Sequence, residues 1–278
     1  MNKLLIAIFA LVTLMFSCKG NKTAGADDAP ADSDSIQDTA AVDTMEQLIS
    51  ETPMPQAADE LFDDFFFNFA ANKKLQRKRI KFPLPVTRPG RTDSISKGGW
   101  KIDNFFMRQG YYTLIFDNAK QMDIVKDTSI NHVVVEKINL RNSSVKQYEF
   151  NRERGEWMLT AIHHKPMYQN NNASFLKFYQ KFASDTAFQA RSLSNPVHFI
   201  GPDPDDDFSQ MEGVLTPETW PAFAPELPSQ MIYNIIYGQK YLESSQKIFV
   251  MRGIANGLEM ELTFRKVKGR WILTKLSE

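Results

Sequence analysis

Two aromatic motifs recur in this chain at almost one spacing, and that recurrence limits the folds open to it more than any other feature. Phe62-x-x-Phe65-x-x-x-Phe69-Ala70 returns 113 residues later as Phe175-x-x-Phe178-x-x-x-Phe182-Ala183. Phe150-x-x-x-x-Gly155-x-Trp157-x-Leu159-Thr160 returns 114 residues later as Phe264-x-x-x-x-Gly269-x-Trp271-x-Leu273-Thr274. Gln76 and Gln189, Ile80 and Leu193, and Pro83 and Pro196 extend the first match. Separated motifs that share an offset point to an internal duplication, with repeats over 59–168 and 172–278. The middles of the two stretches match poorly.

Each stretch has the same order of expected elements. Phe62, Phe65, Phe66 and Phe69 fall at helical spacing, as do Phe175, Phe178, Tyr179 and Phe182. Asn172 is placed to cap the second of these helices. A short second helix should end before Pro83 or Pro196. Tyr111–Phe116 and Met231–Tyr237 are short apolar runs with strand character. Hairpins follow: His132–Leu140, Lys146–Arg152 and Trp157–His163 in the first stretch. Lys247–Ala255, Glu259–Arg265 and Trp271–Leu276 follow in the second, with Asn256-Gly257 as a strong turn signal.

Helices followed by an antiparallel meander predict an α+β fold of two tandem units, each with N-terminal helices packed on a curved antiparallel sheet. This pattern resembles the nuclear-transport-factor-2-like (NTF2-like, or cystatin-like) fold. That likeness implies a sheet wrapped around a helix, leaving a conical pocket. The whole chain is also similar to a Bacteroidetes lipoprotein family that shares domain of unknown function 4348. The shared motifs, a Phe-rich helix and a Gly-x-Trp hairpin, are structural and assign no catalytic role.

The N-terminus carries its own signal. Met1-Asn2-Lys3 precedes an apolar run, Leu4–Phe16, of signal-peptide length and too short to span a bilayer. Ser17 then Cys18 resembles a bacterial lipobox, so residues 1–17 read as a signal peptide and Cys18 as the lipidated first residue. The resemblance implies several acyl chains, which hold a protein where one chain would not. Residues 19–58 carry eight acids, two bases and no aromatic residue, a net charge of −6. Such a composition reads as a disordered acidic tether. By the sorting rules of the bacterial lipoproteins that the chain resembles, Lys19, with no acid before Asp27, implies an outer-membrane anchor with the body facing the periplasm.

The remaining residues constrain chemistry mainly by exclusion. Cys18 is the one cysteine, so the body has no disulfide, catalytic thiol or cysteine metal site. Residues 59–278 carry 30 bases and 25 acids, too mild a balance to suggest nucleic acid. The basic run from Lys73 to Lys81 reads as a solvated helix face. His163 and His164 are adjacent on a strand and point to opposite faces, which argues against a shared metal. Asp203-Pro204-Asp205-Asp206-Asp207 lacks the Gly and Glu of a calcium loop and reads as a Pro-rich acidic loop. Asp117 and Glu149, strand acids beside large apolar residues, read as outward-facing.

The aromatics of the diverged middles are the candidate pocket-lining residues: Trp100, Phe105, Tyr112, Trp220, Tyr233 and Tyr237. No catalytic residue, metal or cofactor is assigned. The sequence therefore predicts a non-catalytic envelope lipoprotein, anchored through Cys18. It would bind a partner protein, glycan or small apolar ligand through its pockets or the groove between repeats. Two alternatives stand beside it: an enzyme using a pocket carboxylate, and a purely structural envelope protein. A buried carboxylate of raised pKa inside a concave pocket would favour the enzyme. Pockets filled by Phe side chains would favour the scaffold.

Overall fold

The phenylalanines that mark the repeat are the seeds of two hydrophobic cores. In the computed structural model, α1 (Phe62–Ala71) buries Phe62, Phe65, Phe66 and Phe69 on one face. The second helix of this type, α3 (Ala173–Phe182), buries Phe175, Leu176, Tyr179 and Phe182. A short helix follows each: α2 (Lys73–Lys78) and α4 (Thr186–Ala190). Side chains start both. Asn72 Oδ1 accepts from the backbone N–H groups of Lys74 and Leu75, and Asp185 from that of Phe188. A one-turn helix, α5 (Trp220–Phe223), lies later in the chain. The structure describes residues 59–278 apart from 204, 242 and 243. The signal peptide, Cys18 and the acidic tether lie outside the described residues.

The sheet departs from expectation. Two tandem units, each with its own curved antiparallel sheet, do not form. One mixed sheet of twelve strands runs in the order β2-β1-β6-β5-β4-β9-β3-β10-β11-β12-β7-β8. From one edge come β2 (Arg91–Ile95), β1 (Leu84–Arg88), β6 (Glu156–Pro166), β5 (Ser144–Glu153) and β4 (His132–Asn139). From the other come β8 (Asp206–Leu215), β7 (Leu193–Asp203), β12 (Arg270–Ser277), β11 (Glu259–Val267) and β10 (Gln246–Gly253). The two series correspond strand for strand. The two remaining strands are exchanged: β3 (Tyr111–Phe116) pairs with β10, and β9 (Met231–Ile236) pairs with β4.

The exchange has a packing cause. Leu114 and Phe116 belong to the core around α1, while Ile115 between them belongs to the core around α3. Ile248 and Val250 likewise face the first core, and Phe249 and Met251 the second. The exchanged strands β3 and β9 are covered on both faces, which is why they read as mostly apolar runs, each with one polar residue (Thr113, Asn234), rather than alternating ones. A strand of that kind needs ladder partners on both edges and apolar cover on both sides, and the middle of the sheet supplies them.

The hairpin signals fare unevenly. Arg154-Gly155 and Lys268-Gly269 all have positive φ, the geometry of a two-residue primed turn. Asn256-Gly257 is instead part of a wider loop, because Gly253 N–H donates to Leu258 C=O across it. In the acidic stretch expected as a loop, Asp203 ends β7 and pairs with Asp206, which opens β8. There Asp203 Oδ1 accepts from the Asp205 backbone N–H.

Candidate functional site

Equivalent positions in the two halves build one surface feature in two different states. In the first half, Arg79 lies 5.7 Å over the Phe65 ring. Its guanidinium donates twice to Asp59, at 2.9 and 2.7 Å, and once to the Trp157 carbonyl at 3.3 Å. Glu156 approaches it at 3.2 Å, and the Trp157 backbone N–H donates to Asp59 Oδ1. Arg79 thus plugs the space between α1 and β6.

In the second half the position of Arg79 is taken by Ser192. The backbone equivalence is direct: Arg79 C=O accepts from Leu159 N–H, and Ser192 C=O from Leu273 N–H, both at 2.8 Å. With a hydroxymethyl group where the first half has a guanidinium, the space between α3 and β12 stays open as a groove of about 400 Å³. Phe178, Phe188 and Trp271 give it an apolar lining. The charges around it are reversed as well. Lys177 stands where the first half has Asp64, and Arg270 where it has Glu156. Lys181 and Arg191 complete four cations, and no acid among the described residues lines the groove. Lys181 Nζ sits 6.0 Å over Phe188, and Lys266 Nζ 5.9 Å over Trp271. Such rings hold ammonium groups without neutralising them.

The six aromatics expected to line a pocket are all buried in the two cores. Trp100, Phe105, Tyr112, Tyr233 and Tyr237 lie in the first and Trp220 in the second. Two of them meet: the hydroxyls of Tyr112 and Tyr237 both donate to Asp63 in the first turn of α1. Trp100 donates to Gln76 at 3.2 Å and Trp220 to Gln189 at 2.9 Å, so the matched glutamines perform matched tasks. The space of each expected cone is occupied by phenylalanine rings, such as Phe62, Phe65, Phe66 and Phe69 packed on Phe150.

Several polar residues sit differently from the sequence reading. Asp117 does not face outward. It is buried and accepts from Lys247 Nζ, which also donates to Asn172 Oδ1 at 2.6 Å. Asn172 precedes α3 as expected, yet its side chain makes no capping bond and serves this cluster instead. Glu136 is a buried acid that sequence reasoning missed. It accepts from Gln147 and Asn170 at 2.7 Å and from Asn234 at 3.0 Å. Burial pushes its carboxyl up, against the pull of those amides. Burial likewise raises Asp63, against its two tyrosine donors. Neither acid lines the groove. Glu149 is partly buried, with His163 Nε2 at 3.0 Å, while His164 points to the opposite face. Among the described residues no cluster of three or more His, Cys, Asp or Glu could hold a metal.

With this geometry in view, comparison with known proteins defines the class of fold. The chain is similar to an NTF2-like protein from Bacteroides fragilis NCTC 9343, with 44% sequence identity and a TM-score of 0.75. The match covers 81% of this chain and 98% of that one. No curated protein matches. The chain belongs to the family described as Domain of unknown function (DUF4348), which matches residues 41–278.

Proposed function

We propose that this protein is a non-catalytic envelope lipoprotein, held by Cys18 to the outer membrane with its body in the periplasm. On this reading it binds a ligand or partner group that is apolar in body and anionic at one end. The observation that carries this reading is the α3–β12 groove, open and cationic where the first half is closed by Arg79 and Asp59. An apolar lining rewards burial of a hydrophobic or aromatic group at about 25 cal/mol per Å². Lys177, Lys181, Arg191 and Arg270, with no acid among the described residues that line the groove, then favour a carboxylate, phosphate or sulfate. The two raised carboxyls, Glu136 and Asp63, are absent from the groove lining, which removes the feature that would favour acid–base catalysis there.

The test is calorimetry with a small aromatic acid, 2-naphthoate, and its neutral analogue, 2-naphthylmethanol. The acid should bind and the alcohol should bind far more weakly. Arg270→Glu should abolish the preference, and Ser192→Arg should close the groove to both, with melting curves to confirm folding. Equal binding of acid and alcohol, or none by either, removes this reading. A purely structural role is the second reading, favoured by the filling of both expected cones with phenylalanine.

A further inference from the structure

The geometry points to a second site, for a compact tetrahedral oxyanion such as a phosphate group, at the ends of β4, β5 and β6. Lys137 on β4 is the direct cross-strand partner of Lys146 on β5. Lys146 is in turn the direct partner of His164 on β6. Arg88 follows Thr87, which pairs with His163, so the row continues onto β1. Cross-strand partners project from the same face at about 5 Å, and like charges so placed repel. Four basic side chains on four adjacent strands form a costly arrangement for a sheet with nothing to set against it.

The protein's own compensation is partial. Asp93 takes Arg88, at 2.7 Å. Asp103 lies 3.8 Å from Lys146 and also accepts from the Tyr148 hydroxyl. The two lysines are held by rings: Lys146 Nζ lies 4.3 Å over Tyr148, and Lys137 Nζ 5.4 Å over Tyr233. Burial lowers the pKa of Lys146, Asp103 opposes this, and Lys137 and Arg88 add to it. His164 is lowered by burial, then by Lys146 and Arg88. Tyr233 and Asp103 outweigh burial and hold Lys137 above its usual value.

Lys137, Lys146 and His164 of this row, though not Arg88, line a cleft of about 550 Å³ separate from the α3–β12 groove. Lys165 and the polar loop Asn142–Ser144 complete its wall, and no acid is among its lining residues. Converging ammonium groups with neutral donors beside them match an oxyanion with several acceptor oxygens. A group of two negative charges offsets the repulsion along the row more fully than one carboxylate can. Such a group could be borne by a soluble molecule or by a lipid headgroup, and the chemistry at the cleft is the same.

Inorganic pyrophosphate and Lys146→Met provide the test, on the purified full-length protein. Pyrophosphate should raise the melting temperature of the wild type with concentration and move the His164 imidazole titration upward by NMR. In Lys146→Met the affinity should fall at least about tenfold, with a melting curve of the variant without ligand to confirm that it is folded. Vesicle flotation of a Cys18→Ser chain with phosphatidylglycerol or phosphatidylcholine then separates the sources. Flotation on the anionic lipid alone assigns a headgroup, and no flotation assigns a soluble phosphate. No stabilisation of wild type by pyrophosphate, or equal stabilisation of Lys146→Met, overturns the site whatever the α3–β12 groove does.

Discussion

Lys247 on β10 and Asp117, just beyond the end of β3, form a buried ion pair between residues 130 positions apart. Lys247 also lies 5.0 Å over the Tyr241 ring. The pair crosses the seam where β3 leaves the first half to join the second. Removing one member of such a buried pair typically costs about 3–5 kcal/mol. Lys247→Met should lose that amount in urea unfolding. The double variant Asp117→Leu with Lys247→Met should recover much of the loss, and a double variant no better than the single would show that the lysine stem, not the charge, matters.

Glu136 gives a pH dependence with a definite sign. Its folded-state pKa is raised above the ordinary 4.5 by burial. The fold therefore favours the protonated acid. That contribution is complete below 4.5 and is lost as pH rises through the folded value. Glu136→Gln does not titrate and carries only a constant offset. The melting temperature of Glu136→Gln relative to wild type should therefore climb with pH above 4.5. A difference that stays flat, or shrinks, would contradict the burial argument.

How much of this was legible beforehand follows from what each signal measures. The helical stripe of Phe62 to Phe69 and the Gly-Trp hairpins are local, and both formed. The apolar runs Tyr111–Phe116 and Met231–Tyr237 announced strands but not their partners, because periodicity reports burial and not which ladder a strand joins. Their exchange turned two expected units into one sheet. The α3–β12 groove had a sequence trace that was overlooked: at the repeat offset, Arg79 becomes Ser192, Asp64 becomes Lys177 and Glu156 becomes Arg270. Those replacements mark where the halves part company in chemistry. The cation row was invisible for a different reason. Lys137, Lys146 and His164 become neighbours only through strand register, which no short window contains.

Trp157 and Trp271 occupy matched positions, each edge-on to the first phenylalanine of its helix. The ring centroids are 5.0 Å apart for Phe62–Trp157 and 5.6 Å for Phe175–Trp271. Both tryptophans are buried. Each Trp→Ala change should cost about 3–5 kcal/mol. A loss well under 1 kcal/mol at either would mean that its surroundings collapse around the cavity.

Tyr179 offers the opposite experiment. Its ring stacks on Phe249 at 4.5 Å in the second core, and its buried hydroxyl has no hydrogen-bond partner among the described residues. An unsatisfied buried hydroxyl costs about 1–3 kcal/mol, so its removal should cost nothing. Tyr179→Phe should melt at or above the wild-type temperature. A clear decrease would reveal a bound water or other partner on the oxygen.

On the proposed reading, attachment to the membrane runs through Cys18; no helix among the described residues is long and apolar enough to cross a bilayer. The proposed lipid would be joined through the cysteine sulfur, and serine or alanine offers no thiol for it. A thioether-linked diacylglycerol plus an amide-linked chain gives durable attachment, since each buried CH₂ contributes about 0.8 kcal/mol. Cys18→Ala should therefore leave an uncleaved precursor or release the body into the soluble envelope fraction. Protease added to intact cells then reports the side. The wild-type body should survive until the outer membrane is permeabilised. Digestion in intact cells would place the body on the cell surface, where both cationic clefts would meet external ligands. A Cys18→Ala protein that matures and sediments with membranes as wild type does would remove the lipid anchor itself.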